Sequence, residues 1–146
     1  LDTNGPMVTV RRHVPVDWTD YNGHMNEGRY GQVFSDAADA VMVHVGADAA
    51  YIKAGKSYFT VETAVKYLQE THAGSVVEVH SKVTVGAGKK LGLFHEMRRL
   101  DGTVLATCDQ LMIHVDLETR RSSLPTGDVQ IKVEALAAAF KSEDML

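Results

Sequence analysis

Apolar positions along the chain change period once, and the change divides it into a helical and a sheet-forming part. Residues 7–16, MVTVRRHVPV, read as a short strand stopped at Pro15. From Glu27 to Val45 the apolar residues Tyr30, Phe34, Ala37, Ala38, Val41, Met42 and Val45 recur at helical spacing, and Arg29, Gln32, Asp36 and Asp39 fall mainly off that stripe. Gly46 is placed to stop this helix, and DAAYIKAG predicts a further short turn ending in glycine. After that the period drops to two. SYFTVETAVKYLQE is rich in β-branched and aromatic residues. In SVVEVHSKVTV, Val77, Val79, Val83 and Val85 alternate with Glu78, His80, Lys82 and Thr84. LGLFHEMRRL and TVLATCDQLMIHVD follow, joined by Asp101-Gly102, a hairpin signal.

The register of the preceding hairpin can be derived. A three-residue loop centred on Gly88 sets Val79 opposite Met97 and Val83 opposite Leu93, whereas a one-residue slip would set Val77 and Val79 against Arg98 and Glu96. In the favoured register His80 faces Glu96 and His95 faces Ser81, as ordinary cross-strand pairs. LPTGDVQIKVEALAAAF predicts a turn and a small C-terminal helix. The order is strand, long helix, four long strands, helix: an α+β domain spanning residues 1–146. One helix covers one face of one sheet, so the other face and the edges call for a second subunit.

Composition narrows the class without naming it. At 45 % hydrophobic and 23 % charged the chain is ordinary for a globular domain, and its net charge of −4 argues against a general nucleic-acid binder. No apolar run approaches the roughly 18 residues of a membrane span. The single cysteine, Cys108, excludes an internal disulfide, points to a reducing compartment and reads as a buried hydrophobe. The histidines lack the spacing of a zinc motif, so no metal is expected. Residues 1–7 hold Gly-Pro punctuation without the basic and apolar regions of a signal peptide; they read as disordered, as an appendage ahead of Met7, or as the edge of a domain cut from a longer polypeptide.

The chemistry concentrates in VDWTDYNGHMNEGRY, residues 16–30. Asp20, Asn22, Gly23 and Asn26 suit an ordinary capped loop, and they equally suit an anion site built on the helix N-terminus. This Asp-x-x-Gly-His-Met-Asn motif, ahead of a long amphipathic helix and four strands, resembles the hotdog-fold acyl-CoA thioesterases of the 4-hydroxybenzoyl-CoA thioesterase-like family. The fuller WTDYNGHMNE is similar to thioesterases associated with, and sometimes fused to, carnitine dehydrogenases, which act on betainyl-CoA.

That resemblance implies a long helix wrapped by an antiparallel sheet of about five strands, and a cytoplasmic homodimer or dimer of dimers without cofactor. It makes Asp20 the catalytic carboxylate, acting as nucleophile or general base, and the helix start at Glu27 the oxyanion donor, shaped by Gly23 and Asn26. His24 orders the loop. In a rival reading, a hotdog dehydratase or hydratase, His24 is the acid or base; a non-catalytic acyl-CoA-binding domain is the other rival. Relatives carry a second acid two positions before the first, where this chain has Trp18, so Asp17 reads as a solvated loop residue. Trp18, Tyr21, Tyr30 and Tyr58 are the aromatics placed to meet a quaternary ammonium, with core packing the competing reading for Tyr30 and Tyr58, and Glu62 is a further candidate. Lys89, Lys90, Arg98, Arg99, Arg120 and Arg121 are the cations available to CoA phosphates, or else a solvated charged surface.

Overall fold

Asn26 decides where the long helix begins. The computed structural model describes residues 7–144, with side chains to Phe140. In it Asn26 holds extended backbone angles and its Oδ1 accepts the Gly28 N–H at 2.9 Å, capping α1 (Glu27–Val45). Gly46 ends the helix in the left-handed conformation at φ 89°. Both ends fall where the sequence places them. Tyr30, Val33, Phe34, Ala37, Ala38, Val41 and Val45 form its buried stripe. A short helix, α2 (Ala49–Lys53), follows.

The strands are β1 (Met7–His13), β2 (Lys56–Tyr67), β3 (Val76–Ala87), β4 (Lys90–Arg99) and β5 (Val104–Asp116), with a two-residue β6 (Arg121–Ser122) that the pattern does not announce. They form one antiparallel sheet in the order β1-β3-β4-β5-β2, with β6 on β5. This is the expected α+β arrangement of five main strands curled around α1. Of residues 1–7, for which disorder or an appended segment is one expectation, 1–6 lie outside the described residues, and Met7 is ordered and buried at the start of β1.

The β3–β4 register carries one correction. Val79 faces Met97 and Val83 faces Leu93, as derived, but a bulge at Thr84 absorbs one residue and the loop closes as Gly88-Lys89, two residues long. The bulge also reverses the alternation. Val85 therefore turns outward, and Gly86 turns inward against the C-terminal helix α3 (Gly127–Asp144). A Cβ on Gly86 would lie 2.7 Å from the Val133 carbonyl oxygen, so the close seat of α3 requires glycine there. That helix is not small: at 18 residues it rivals α1, and its Val129, Val133, Leu136 and Ala137 join Ala38, Val41, Leu91 and Leu93 in one half of the core. Phe34, Val77, Val79, Met97 and Leu105 fill the other half. Each such fully buried side chain contributes about 1.5–3 kcal/mol.

Two histidines are fully buried, and neither is an ordinary pair. His95 Nε2 donates to Gln110 Oε1 at 2.8 Å, so its Nδ1 accepts from the Ser81 hydroxyl at 2.6 Å. His114 Nδ1 donates to the Ser123 carbonyl at 2.9 Å, and its Nε2 accepts from the Tyr51 hydroxyl at 2.6 Å. Burial lowers both pKa values below the ordinary 6.5. The unfolded chain therefore binds more protons in mild acid. The stability these neutral rings contribute is complete above about pH 6.5 and is lost as pH falls below it. The melting midpoint is expected to drop by several degrees between pH 7.5 and 5.5, and the drop to shrink in a His114→Gln chain. The carboxylates Glu78, Asp101 and Asp116 have lowered pKa values and lose their contributions only in stronger acid.

Candidate active site

The loop ahead of α1 is closed by its own backbone. Pro15 opens a single 3-10 turn over Val16–Trp18, and the Asn26 N–H then donates to the Trp18 carbonyl at 2.8 Å. Asp20 organises what lies between. Its Oδ1 accepts the N–H groups of Asn22 at 2.9 Å and His24 at 3.2 Å, and its backbone exchanges bonds with Gly23 and His24. Gly23 sits at φ 79°, a conformation that this tight turn demands and glycine supplies without strain. The carboxylate of Asp20 is exposed and held in one orientation. At the helix start the Asn26 side chain occupies the Gly28 N–H and its carbonyl the Arg29 N–H. The Glu27 N–H has no partner among the described residues, and it stands at the positive end of a 19-residue helix.

Beside the loop lies an open cleft of about 510 Å³, walled by His24, Met25, Glu27 and Tyr30 on one side and by residues 67–72 with Arg99 on the other. The second wall is fixed to the first. Met25 N–H donates to the Thr71 carbonyl at 2.7 Å, and the Tyr30 hydroxyl donates to Thr71 Oγ1 at 2.9 Å. Arg99 Nη2 holds the Glu70 carbonyl at 3.0 Å. Tyr67 meets Tyr30 edge-on at 5.1 Å, and burial together with the nearby Glu27 carboxylate raises its pKa.

The residues expected at the site are therefore divided. His24, Glu27 and Tyr30 reach the cleft; Asp20, Tyr21 and Gly23 stand on the loop outside its lining. Tyr21 is 99 % exposed. Trp18 is corrected: it is 6 % exposed, with the Arg12 guanidinium 3.8 Å from its ring centroid and that of Arg29 at 5.2 Å. A ring already covered by two cations does not receive a third. Tyr58 follows the core-packing reading. It is 7 % exposed in the core, edge-on to His114 at 4.9 Å, and its hydroxyl is buried without a partner. Glu62 is exposed beside the β2 bulge, away from the cleft lining.

The cations divide too. Lys89 donates to Ser122 Oγ at 3.2 Å, so Lys89 and Lys90 gather with Arg120 and Arg121 around β6. Arg98 lies at the other end of β4, bonded to Glu96 at 3.2 Å. The ten residues from Lys90 to Arg99 separate the β6 cluster from the cleft by about 30 Å. Cys108 is buried as expected, its thiol pushed up to about 12 by desolvation, and unreactive. Sequence reasoning missed Tyr67, Glu70, Thr71 and His72; they follow a strand-like run with no local motif of their own.

Residues 14–140 match the thioesterase-like superfamily. The chain belongs to this family. It is 44 % identical over 138 residues to the L-carnitine dehydrogenase/betainyl-CoA thioesterase of Ruegeria pomeroyi, a match covering 94 % of this chain and 28 % of that protein. To the betainyl-CoA thioesterase of Pseudomonas aeruginosa it is 37 % identical over 138 residues, covering 93 % of this chain and 87 % of that one. The chain thus spans under a third of the Ruegeria relative and most of the Pseudomonas one. A Staphylococcus aureus protein solved in complex with CoA superposes at a TM-score of 0.86, with 24 % identity, over 92 % of this chain and 86 % of that one. A 1,4-dihydroxy-2-naphthoyl-CoA thioesterase from Synechocystis superposes at 0.76, with 17 % identity, over 86 % and 94 %. The hotdog fold expected of this family member is the fold observed. No helix among the described residues is long and apolar enough to cross a membrane.

Proposed function

We propose that the chain hydrolyses an acyl-CoA thioester, that betainyl-CoA is its substrate, and that Asp20 and the Glu27 N–H carry the chemistry. The observation behind this reading is the Glu27 N–H, without a partner among the described residues at the Asn26-capped start of α1, on a residue that lines the cleft beside the Asp20 loop. Hydrolysis joins an oxygen to the acyl carbon, breaks the C–S bond and returns a proton to the CoA sulfur. Asp20 either attacks directly with its own oxygen, giving a mixed anhydride that water then opens, or takes a proton from the water whose oxygen attacks. The carbonyl oxygen gathers negative charge meanwhile, and the Glu27 N–H receives it; one such donor lowers a barrier by about 3 kcal/mol.

In betainyl-CoA a single methylene separates the trimethylammonium from the carbonyl, so the cation must sit next to the oxyanion donor. In this reading the Glu27 carboxylate and the Tyr67 ring take the place first given to Trp18: both line the cleft, and carboxylate and ring each favour a desolvated cation. The relatives' names support the substrate. Thiol release across a panel of acyl-CoAs tests it, with betainyl-CoA expected to exceed an uncharged acyl-CoA of like size. Glu27→Gln keeps the N–H and removes the charge, and is expected to lower kcat/KM for betainyl-CoA about tenfold while sparing the uncharged substrate. Equal rates for the two substrates in the parent chain would reject the cation site.

The active unit in this reading is at least a dimer. Edge strand β2 exposes Phe59, Val61 and Tyr67, an apolar run ready to pair. Two-fold antiparallel pairing along β2 brings the Lys56 end of one copy beside the Tyr67 end of the other. Lys56 lies opposite Asp116, as does Arg121 of β6, so the basic cluster of a second copy would arrive beside the cleft that its own chain cannot serve. Lys89, Lys90, Arg120 and Arg121 then meet the CoA phosphates across the dimer.

A further inference from the structure

His24 and His72 are 48 residues apart in sequence and face each other across an antiparallel bridge. Residues opposed in this way hold their Cβ atoms about 5 Å apart, close enough for two imidazoles to share one ligand. Here the rings meet edge-on, centroids 4.9 Å apart and planes at 74°. Both present Nε2 to one carboxylate: Glu70 Oε2 lies 3.3 Å from His24 Nε2 and 4.0 Å from His72 Nε2. All the ligand atoms fall within 4.8 Å of one another.

We propose that His24, Glu70 and His72 form a binding site for a borderline divalent transition-metal ion of the zinc class. An ion bonded to nitrogen and oxygen at about 2.0–2.2 Å in tetrahedral geometry sets its ligand atoms about 3.4 Å apart. The His24–Glu70 separation already meets that spacing, and the His72 ring closes the rest by turning about its own side-chain bonds. Two imidazoles and one carboxylate are a donor set that such ions select, and three protein ligands leave the fourth position open to water.

The backbone beneath the ligands is held before any ion arrives. Met25 N–H is bonded to the Thr71 carbonyl, Ser75 N–H donates to the His72 carbonyl at 3.2 Å, and Arg99 grips the Glu70 carbonyl. An ion pair between Glu70 and one protonated histidine needs only one ring. The convergence of the second ring, which brings a further ring nitrogen towards the same point, is what a shared cation accounts for.

The test is direct metal binding by the full chain, free of affinity tags and stripped with a chelator. Zn²⁺ uptake is followed by calorimetry, and Co²⁺ uptake by its visible absorption. The expected result is saturation at one ion per chain, with the intense Co²⁺ bands of a four-coordinate site. His72→Ala and Glu70→Gln should each weaken uptake about tenfold or more, while His80→Ala leaves it unchanged. Glu70 is exposed, so Glu70→Gln keeps the fold and decides the matter if His72→Ala fails the circular-dichroism check. Absence of saturable uptake at millimolar Zn²⁺, or affinity unchanged in Glu70→Gln, would overturn the site. Both readouts are independent of hydrolysis, so an inactive chain that binds the ion leaves this proposal standing and rejects only the thioesterase reading.

Discussion

Asp20→Asn is expected to slow thiol release from the preferred acyl-CoA about a thousandfold while leaving the melting midpoint nearly unchanged. Asparagine is the informative replacement because of what Asp20 holds. Its Oδ1 accepts two backbone N–H groups, from Asn22 and His24, and the asparagine Oδ1 can accept the same pair. Alanine removes both bonds along with the charge, so a slow Asp20→Ala enzyme would report on loop order as well as chemistry. A carboxylate acting as general base accounts for about 10²–10⁴ in rate, and one that attacks directly accounts for at least as much. An Asp20→Asn chain within threefold of the parent would remove Asp20 from the mechanism. Single turnover in heavy-oxygen water separates the two routes, because attack by Asp20 itself can return its own oxygen in the acid product.

The second large effect concerns the open edge of the sheet. If the proposed pairing holds, Val61→Lys is expected to run as a monomer by light scattering where the parent chain runs as a dimer, and to raise KM for the CoA thioester tenfold or more with the circular-dichroism spectrum unchanged. Val61 lies at the middle of β2, so in a two-fold pair it stands close to its own symmetry mate. Each substitution therefore counts twice. Losing two buried valines removes about 3 kcal/mol, roughly a hundredfold in the dimer constant, before the two lysines repel each other. A Val61→Lys chain that remains dimeric with an unchanged KM would reject pairing along β2.

What the sequence made legible follows from range. The ends of α1 are written in residues adjacent to them, Asn26 and Gly46, and its buried stripe in a period of 3.6 residues. The middle of the β3–β4 hairpin was derivable because one register alone keeps Val79 and Val83 against apolar partners. The bulge at Thr84 was not derivable: its cause is α3, which requires Gly86 to face it from far along the chain. For the same reason Val85 was placed on the wrong face. β2 crosses to the far edge of the sheet, which no local pattern encodes, so the sequence leaves Tyr58 open between ligand contact and core packing, and only the fold encloses it with His114 and Tyr51. Trp18 was judged by its neighbours in sequence, whereas Arg12 from β1 decides its environment. The second wall of the cleft was missed entirely, since Glu70 and His72 acquire meaning only through the bridge to His24.

A row of polar residues across the sheet, buried at its centre, carries a consequence for how the chain assembles. Thr9 on β1, Ser81 on β3, His95 on β4, Gln110 on β5 and Thr63 on β2 form one hydrogen-bonded row, a residue from each main strand in the order of the sheet. From Ser81 onward donors and acceptors run in one direction along it: Ser81 to His95, His95 to Gln110, and Gln110 Nε2 to Thr63 at 3.5 Å, while Thr9 pairs with Ser81 at 2.8 Å. Valine–leucine contacts tolerate a two-residue slip, which keeps the same face inward. The row does not. Any slip of β4 strands His95 in the apolar interior with both ring nitrogens unmatched, at about 1–3 kcal/mol for each orphaned group. The row thus works as a combination lock on strand alignment, discarding misregistered sheets that hydrophobic burial alone would accept.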